Sequence, residues 1–301
     1  MECVIESRSF TVSGFNSTGI GYELVTTNLE DINFNMQQLN SSQQKLSSEI
    51  QDLKITLAEI KSLFTIHTLV EREKLPETCV EVPNCRSGQY RIQPRPEVTD
   101  DFEVYCDHKY EDGGWTVIQN RYDGSVDFYR GWDQYESGFG DLQGEFWLGL
   151  RKIRELTYAK PHKLHIVMER YDGNSFVAKY SRFLIGGAKG KYLLKCLGNF
   201  SGNASDSLRR AYNKKFLTFD SDEDYDNYSA ETNNCVANRK GAWWYDGCYA
   251  SNLNGLYFKQ IARQNGFTLM SWGIDFINFL KSSRMMIKAT SEMNDDGSLC
   301  T

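Results

Sequence analysis

The first third of this chain carries a seven-residue repeat of apolar positions. From Leu29 onward, apolar residues recur at alternating spacings of three and four, and neither Gly nor Pro interrupts the run, which ends ahead of Pro76. A strict repeat of this kind over about six heptads is typical of a left-handed coiled coil. Its two rows are Leu29, Met36, Gln43, Ile50, Leu57 and Phe64, and Ile32, Leu39, Leu46, Leu53, Ile60 and His67.

A single amphipathic helix packed on its own globular domain is the alternative interpretation. Such a helix follows a 3.6-residue period, so its stripe would drift by ~20° per heptad, and this stripe does not drift. Gln43 would help to fix the register, and Glu49 and Lys54 fall where a parallel partner chain can pair with them. We therefore expect a homo-oligomeric stalk over residues 29–70, after an N-terminal segment 1–28. The mixture of Ile and Leu leaves dimer and trimer open.

Composition narrows the class of protein. The 301 residues are 40% hydrophobic, so a sizeable core can form beyond the stalk. The net charge is −6 and no Lys/Arg block stands out, which argues against nucleic acid as the main partner. No apolar run approaches the roughly 20 residues of a membrane span. Eight cysteines and several Asn-x-Ser/Thr sequons predict a secreted protein, although the first residues lack the apolar stretch of a signal peptide.

Seven blocks downstream of the stalk resemble the fibrinogen-like family, in that family's order. They are Cys79–Pro83, Ser87–Tyr90, Val104–Asp107, Gly113–Val117, Gly144–Gly149, Ser201–Ala204 and Cys235–Gly255. The resemblance runs from about Cys79 to Ile287. It implies an α+β fold, with a fibrinogen-like C-terminal globular domain over residues 78–301 preceded by the coiled-coil helix.

The resemblance also implies two disulfides, Cys79–Cys106 and Cys235–Cys248. The other four cysteines stay open at this point. Cys196 lies in an apparent strand, where it could be a buried free thiol or a partner of Cys85. Cys3 and Cys300 lie near the two ends of the chain and could form bonds between chains.

An acidic run before Cys235 predicts a calcium site. Aspartates alternate through the segment Asp220–Asn227, and an Asp-x-Asp spacing in a loop can aim two carboxylates at one hard cation. The resemblance places the side-chain ligands of Ca²⁺ at Asp222 and Asp224, with Phe216 and Asp220 anchoring the loop. Backbone carbonyls would come from about Asp226 and Tyr228. The stretch before Cys235 is about five residues longer than in relatives, so Asp226 could instead contribute its side chain.

The resemblance places a ligand pocket beside the second disulfide, and the residues of this pocket depart from the usual pattern. In lectins of this family the peptide bond before the second cysteine is typically cis. Cis bonds to non-proline residues cost ~3–4 kcal/mol and persist only where the fold holds them. Gly247, Tyr249 and Arg263 replace residue types common in relatives, and the candidate ligand-binding residues are Asn238, Arg239, Gly247, Cys248, Tyr249, Arg263, Gln264 and Phe276.

The altered residues leave two ligand types open. A small apolar cup with one or two donors suits an acetyl group. Inward-pointing Arg239 and Arg263 would instead favour an anionic group. The alternative to both ligand types is that Arg239 and Arg263 point to solvent. Trp243 and Trp244 are expected to pack rather than to form sugar platforms, while Asn252 and Asn254 should satisfy buried backbone groups.

The chain carries no recognisable catalytic motif. Its four histidines form no HExxH pattern, and a Gly-x-Ser-x-Gly elbow is absent from the sequence. We therefore expect a non-enzymatic protein. The resemblance implies a secreted, calcium-dependent, multivalent lectin that binds carbohydrates on microbial surfaces in innate immunity. The alternative is a receptor ligand or matrix protein of the angiopoietin type that uses the domain as a protein interface.

Overall fold

The structure is a computed structural model that describes residues 20–70, 75–83, 85–221, 235–246, 248, 250–258, 268–273, 279–291 and 299–300. The chain divides into two compact units, Met1–Glu73 and Lys74–Thr301. The second unit is called the head below. None of the helices in the described part is long and apolar enough to cross a membrane.

One long helix, α1, occupies Ile20–Val70. It begins upstream of Leu29. It ends before Pro76, as the sequence pattern predicts. The apolar rows of the heptad repeat are exposed along this helix: Ile50 is 46% exposed and Leu39 and Leu53 are each 69% exposed. A row of exposed Leu and Ile on one isolated helix is the surface that a coiled-coil partner covers.

The head combines short helices with many antiparallel strands. The helices are α2 (Trp132–Ser137), α3 (Leu150–Ala159) and α4 (Cys235–Arg239). The strands are β1 (Gly88–Ile92), β2 (Phe102–Asp107), β3 (Trp115–Arg121), β4 (Phe139–Gly140), β5 (Phe146–Trp147), β6 (His162–Arg170), β7 (Ser175–Tyr180), β8 (Phe183–Ile185), β9 (Leu194–Leu197), β10 (Phe200–Gly202), β11 (Ser251–Asn252), β12 (Ser271–Trp272), β13 (Leu280–Ala289) and β14 (Leu299–Cys300).

The main sheet has the strand order β1-β2-β3-β13-β6-β7-β10, with β4 and β5 attached at β3. Strand β13 comes late in the chain yet pairs with both β3 and β6 at the centre of the sheet. Two smaller sheets pair β11 with β12 and order the other three strands as β14-β9-β8. The centre of the main sheet is therefore completed by a strand from late in the chain.

The two faces of the main sheet differ in character. Along β6, Leu164, Ile166 and Met168 are buried in the hydrophobic core, together with residues of α3 such as Leu150 and Ile153. Successive strand residues point to opposite faces, so the alternate residues Lys163, His165, Val167 and Glu169 belong to the other face. We call that second face the outward face.

Disulfides join Cys79 to Cys106 and Cys235 to Cys248, the two pairs that the resemblance implies. Cys196 is also disulfide-bonded, and the backbone register pairs it directly with Cys300. Cys85 is an exposed free thiol. The two sequence interpretations of Cys196, a free thiol or a partner of Cys85, are therefore wrong, because β14 lies beside β9 and brings the end of the chain to this position.

Candidate ligand-binding corner

The corner is built from the segment between Cys235 and Gly255. Helix α4 starts at Cys235, the chain turns back through Trp243 and Trp244, and the disulfide returns it to Cys248. Strand β11 then pairs with β12, with Ser251 opposite Trp272 and Asn252 opposite Ser271. A staple of this kind restricts an irregular segment that has little regular backbone pairing of its own.

Two buried asparagines hold the irregular backbone of the corner. Asn252 donates through Nδ2 to the carbonyl of Arg239 at 2.9 Å and accepts at Oδ1 from the hydroxyl of Tyr245 at 2.8 Å. Asn254 donates to the carbonyl of Ala242 at 3.1 Å. Both asparagines are 0% exposed. The predicted role of Asn252 and Asn254 in satisfying buried backbone groups is confirmed.

Polar residues of β3 attach the corner to the main sheet. Gln119 donates through Nε2 to the carbonyl of Leu253 at 3.0 Å, and its Oε1 accepts from Ser283 on β13 at 3.0 Å. Arg121 donates through Nη1 to the carbonyls of Leu253 at 3.3 Å and Gly255 at 3.0 Å. The position of the corner thus follows that of the central strands.

The Arg121 charge is balanced inside the protein. Glu145 lies 3.8 Å from Arg121, measured from Oε2 to Nε, and both side chains are almost fully buried. The Phe128 ring lies under the guanidinium, with its centre 3.8 Å from Cζ of Arg121. Burial lowers the pKa of Arg121, while the Glu145 carboxylate acts to raise it. Each ion also has hydrogen bonds to backbone groups, which offset part of the cost of burying it.

Glu145 also organises the loop after β3. Its Oε1 accepts from the backbone N–H groups of Tyr122, Asp123 and Gly124 at 2.7, 2.9 and 2.8 Å, and its Oε2 accepts from Val126 at 3.2 Å. The sequence reasoning assigned no role to Arg121 or Glu145. Their signal was present, because a charged residue set among core residues needs a buried partner.

The two tryptophans pack rather than present their faces. Trp243 and Trp244 are each 1% exposed and meet edge to face. Trp243 donates through Nε1 to Ser251 at 3.0 Å, and Trp244 to the carbonyl of Tyr192 at 2.7 Å. The prediction that they are packing residues is confirmed.

Arg239 is fully buried at the end of α4. It donates through Nη2 to the hydroxyl of Ser271 at 2.7 Å. Burial lowers the pKa of Arg239 to about 10. The solvent-pointing alternative is wrong for this arginine, while neighbouring Asn238 is exposed. That either residue contacts a ligand stays a prediction.

The backbone of Cys248 is in the left-handed region, with φ of 54°, and the residue is 1% exposed. A non-glycine residue in this region costs roughly 1–3 kcal/mol and persists where the surroundings fix it. The disulfide to Cys235 fixes it here. Strained backbone of this kind is concentrated at binding sites in proteins.

The acidic segment begins from a fixed anchor. Asp220 accepts at Oδ1 from the backbone N–H of Trp132 at 2.8 Å and from the hydroxyl of Thr218 at 2.7 Å, so it caps α2. Phe216 is 0% exposed and packs on Trp147 and Trp244. Both residues therefore have the anchoring contacts that the resemblance implies.

The predicted calcium ligands Asp222, Asp224, Asp226 and Tyr228 lie outside the described residues. So do the candidate ligand-binding residues Gly247, Tyr249, Arg263, Gln264 and Phe276, and the peptide bond between Gly247 and Cys248. Among the residues that the structure describes, no group of three acidic, His or Cys side chains could hold a metal ion.

The donor set of the acidic segment fits a calcium ion. Residues 222–234 contain five acidic side chains and no Lys or Arg. Calcium prefers oxygen ligands, carboxylates and carbonyls above all. The segment is tied at one end by the bonds of Asp220 and at the other by the Cys235–Cys248 disulfide.

The two histidines of β6 are structural. His162 is bonded through Nδ1 to the carbonyl of Lys160 at 2.8 Å, and His165 lies against the rings of Tyr110 and Trp115. Burial lowers the pKa of each to about 4. Both are therefore neutral near pH 7, and neither lines the corner.

Residues 77–290 match the family described as fibrinogen beta and gamma chains, C-terminal globular domain. The chain belongs to this family. The matched range contains the Cys79–Cys106 and Cys235–Cys248 disulfides, the main sheet and the whole corner. The predicted family and the α+β fibrinogen-like fold with a preceding helix are therefore confirmed.

Relatives with different names share this domain. Fibrinogen-like protein A of Apostichopus parvimensis is 44% identical over 172 residues, which are 57% of this chain and 59% of that protein. Ryncolin-4 of Cerberus rynchops is 42% identical over 188 residues, 60% of this chain and 52% of that protein. The chain thus spans less than two thirds of the length of these curated relatives.

A solved structure confirms the fold of the head. The fibrinogen-like globe domain of human ANGPTL6 has a TM-score of 0.65 and 34% sequence identity, and the superposition covers 72% of this chain and 96% of that domain. The fibrinogen-like head is therefore shared with proteins of different names.

Proposed function

We propose that this protein is a secreted, calcium-dependent, multivalent lectin that binds acetylated or anionic glycans on microbial surfaces as part of innate immunity. The observation that carries the proposal is the corner itself. Buried Asn252 and Asn254 and the strained Cys248 hold a short irregular segment in one conformation. A preorganised segment loses less entropy on binding than a flexible one.

Calcium is proposed to hold the acidic segment that leads into the corner. The side chains of Asp222 and Asp224 and oxygens of Asp226 and Tyr228 would provide its ligands. The ion would neutralise the repulsion between these carboxylates and order the chain before Cys235. The ion would act on the shape of the pocket rather than on the glycan.

The glycan would contact residues on both sides of the second disulfide. We propose Asn238, Gly247, Cys248 and Tyr249 as one wall of the site, and Arg239, Arg263, Gln264 and Phe276 as the other. Buried Arg239, with its charge retained at neutral pH, supports an anionic or carbonyl-bearing ligand group. We propose no catalytic step, in keeping with a family whose members are generally binding proteins.

Multivalency is proposed to come from α1. Its exposed Leu and Ile rows would pair with those of other copies, so that each assembly carries several heads. Linked sites raise avidity by ~10²–10⁴ when their spacing matches the target. Weak individual sites would then suffice for retention on a glycan-covered surface.

An extracellular receptor ligand or matrix protein is the second candidate. The observation that favours it is the similarity of the head to the globe domain of human ANGPTL6. In that case the corner would contact a protein, and free sugars would not compete. Secretion is common to both candidates and is supported by the disulfides of the head.

The deciding experiment is retention of the full glycosylated chain on N-acetyl-sugar resin. We expect retention in calcium and elution by EDTA or by free acetate. A protein that flows through in calcium, although calcium raises its thermal midpoint, would contradict the acetyl-directed form of the proposal. Sulfated or sialylated resin then tests the anionic form, and failure on both favours a protein receptor.

Asp222→Ala tests the calcium site directly, by differential scanning fluorimetry with and without calcium. The wild-type midpoint should rise in calcium, and the variant should show no rise. Asp100→Ala is the matched control, because Asp100 is exposed and lies far along the chain from the acidic segment. An equal rise in Asp222→Ala would remove Asp222 from the site.

Sedimentation of the full chain tests the stalk. The wild-type protein should sediment as a dimer or trimer, while Leu46→Asp should shift the population toward monomer by placing a charge in the apolar row. Gln51→Asp, on another face of α1, is the matched control. A monomeric wild-type chain would contradict the coiled coil.

A further inference from the structure

Two adjoining cavities lie on the outward face of the main sheet. Their volumes are about 280 and 590 Å³, and both are lined by Asn120, Tyr122 and Arg284. Because three residues border both, the cavities form one continuous depression, which we call the sheet groove. Proteins bind small organic ligands in depressions of about 300–1,000 Å³.

Arg284 stands in the middle of the sheet groove in a fixed orientation. It donates through Nε to Asn120 Oδ1 at 3.1 Å and through Nη1 to Asp107 Oδ2 at 2.9 Å. Asn120 is held in turn by its own donation to the Gly144 carbonyl at 2.7 Å. The Arg284 side chain remains 43% exposed, so its Nη2 is presented to the groove by a rigid frame.

Further hydrogen-bonding groups along the groove are unused. The Tyr122 hydroxyl and the Gln143 amide form no hydrogen bond with any described residue, and both side chains are exposed. Their neighbours Asn120 and Glu145 use every side-chain oxygen in internal bonds. A polar ligand requires hydrogen-bonding groups that are not already used within the protein, and Tyr122 and Gln143 provide them.

Most charged groups in the groove are paired, and Lys109, which is exposed, is the one lining cation without an ion-pair partner among the described residues. Arg284 is paired with Asp107, and Lys281 is paired with Glu169 at 2.8 Å. An anion would therefore meet nearby carboxylates as well as cations. A neutral ligand with many hydroxyl groups suits this arrangement better than a phosphate or a sulfate, which calls for unpaired cations.

Apolar surface is available between the polar groups. Val117 and Phe146 are buried at the base of the smaller cavity, Leu142 is half-buried in its wall, and Tyr122 is 45% exposed at its rim. The C–H faces of a sugar ring can lie on such surface while its hydroxyls reach the donors. Tyr presents an apolar body and a polar tip for this purpose.

We propose that the sheet groove binds a neutral oligosaccharide, as a second glycan subsite that does not depend on calcium. The inference deepens the proposed lectin function and rests on it. All of the lining residues named here belong to the sheet and to the loops joined to it. Arg284, Tyr122 and Gln143 are the proposed hydrogen-bonding residues.

Isothermal titration calorimetry of the full chain with laminaritetraose, cellotetraose and mannotetraose tests the proposal. At least one should bind equally well in calcium and in EDTA. Tyr122→Ala and Gln143→Ala should each weaken that binding by about tenfold, equivalent to about 1.4 kcal/mol. Tyr158→Ala, at an exposed tyrosine of α3 outside the groove, is the control and should bind like the wild type.

The outcomes separate this inference from the lectin proposal. Loss of N-acetyl-resin retention with undiminished tetrasaccharide binding would overturn only the corner site. Retention on that resin without binding of any tetrasaccharide at millimolar concentration would overturn only the groove. Tetrasaccharide binding that EDTA abolishes, or that both variants retain, would also overturn it. So would a parallel titration in which a peptide binds and no tetrasaccharide does.

Discussion

Neighbouring residues of strand β3 serve two regions with opposite properties. Gln119 and Arg121 point toward the corner and donate to Leu253, while Asn120 between them points to the sheet groove and holds Arg284. In the corner the buried polar groups bond to the protein itself. In the groove, several polar groups are exposed and unused. The corner is thus organised by internal bonds, and the groove is organised to accept external ones.

The difference between the two regions shows that a high number of polar residues does not by itself identify a binding surface. Asn252 and Asn254 of the corner stabilise the shape of the chain and are unavailable to a ligand. Ligand contacts at the corner must come from other residues. At the groove the same kinds of residue remain accessible because the outward face is only partly covered.

The largest effect is expected at the buried ion pair of the corner. Glu145→Gln removes the charge that faces Arg121 and should destabilise the head by about 3–5 kcal/mol, because a buried cation is left without its partner. Glu169→Gln is the matched change at the groove, where Glu169 pairs with exposed Lys281. It should cost about 0–1 kcal/mol. Urea unfolding of both variants gives the two values.

Equal losses of stability in Glu145→Gln and Glu169→Gln would break the comparison between the two regions. Glycan retention provides a second test of this comparison. Because Arg121 positions Leu253 and Gly255, Arg121→Lys should weaken glycan retention at the corner.

A smaller effect is expected from the histidines of β6 on lowering the pH. Burial lowers the pKa of His162 and His165 from 6.5 to about 4, so below pH 6.5 the unfolded chain binds more protons than the folded one. Their contribution to stability is complete above pH 6.5 and is lost as the pH falls toward 4. His162, which is fully buried, can account for up to about 3 kcal/mol, and the more solvated His165 for less.

Thermal or urea unfolding between pH 7.5 and 4.5 measures this loss. His162→Gln should flatten the pH dependence, whatever its effect at neutral pH. A free energy of unfolding that stays constant down to pH 4.5 would show that these imidazoles are protonated as easily in the fold as in water.

The smallest effect separates two tyrosine hydroxyls. Tyr245→Phe removes the donor to Asn252 Oδ1 in the buried corner and should cost about 1–3 kcal/mol, because it leaves a buried acceptor unsatisfied. Tyr122→Phe removes an exposed hydroxyl of the groove and should change stability by less than about 0.5 kcal/mol. Differential scanning calorimetry of the two variants checks this, and a reversed order would contradict the assignment of roles.

Much of the molecule was predictable from the sequence because its signals are local. The heptad rows predict α1, since a helix is specified by residues three and four apart. The fibrinogen-like blocks predict the head and two of its disulfides. The packing role of Trp243 and Trp244 was also predictable, because large aromatic residues in such a segment fill a core.

Other features depend on residues that are distant in sequence. The pairing of β14 with β9 excluded both sequence interpretations of Cys196. The burial of Arg239 depends on Ser271, and the role of Arg121 depends on Glu145 and the carbonyls of the corner. No local pattern encodes these partners.

The sequence by itself determined the helix, the family of the head and the acidic composition of the segment before Cys235. Only the tertiary structure decided which polar residues are used internally and which face solvent. The physical reason is the insertion of β13 between β3 and β6. That pairing places Ser283 against Gln119 on the buried side and Arg284 against Asn120 on the outward side, and so creates the corner support and the groove together.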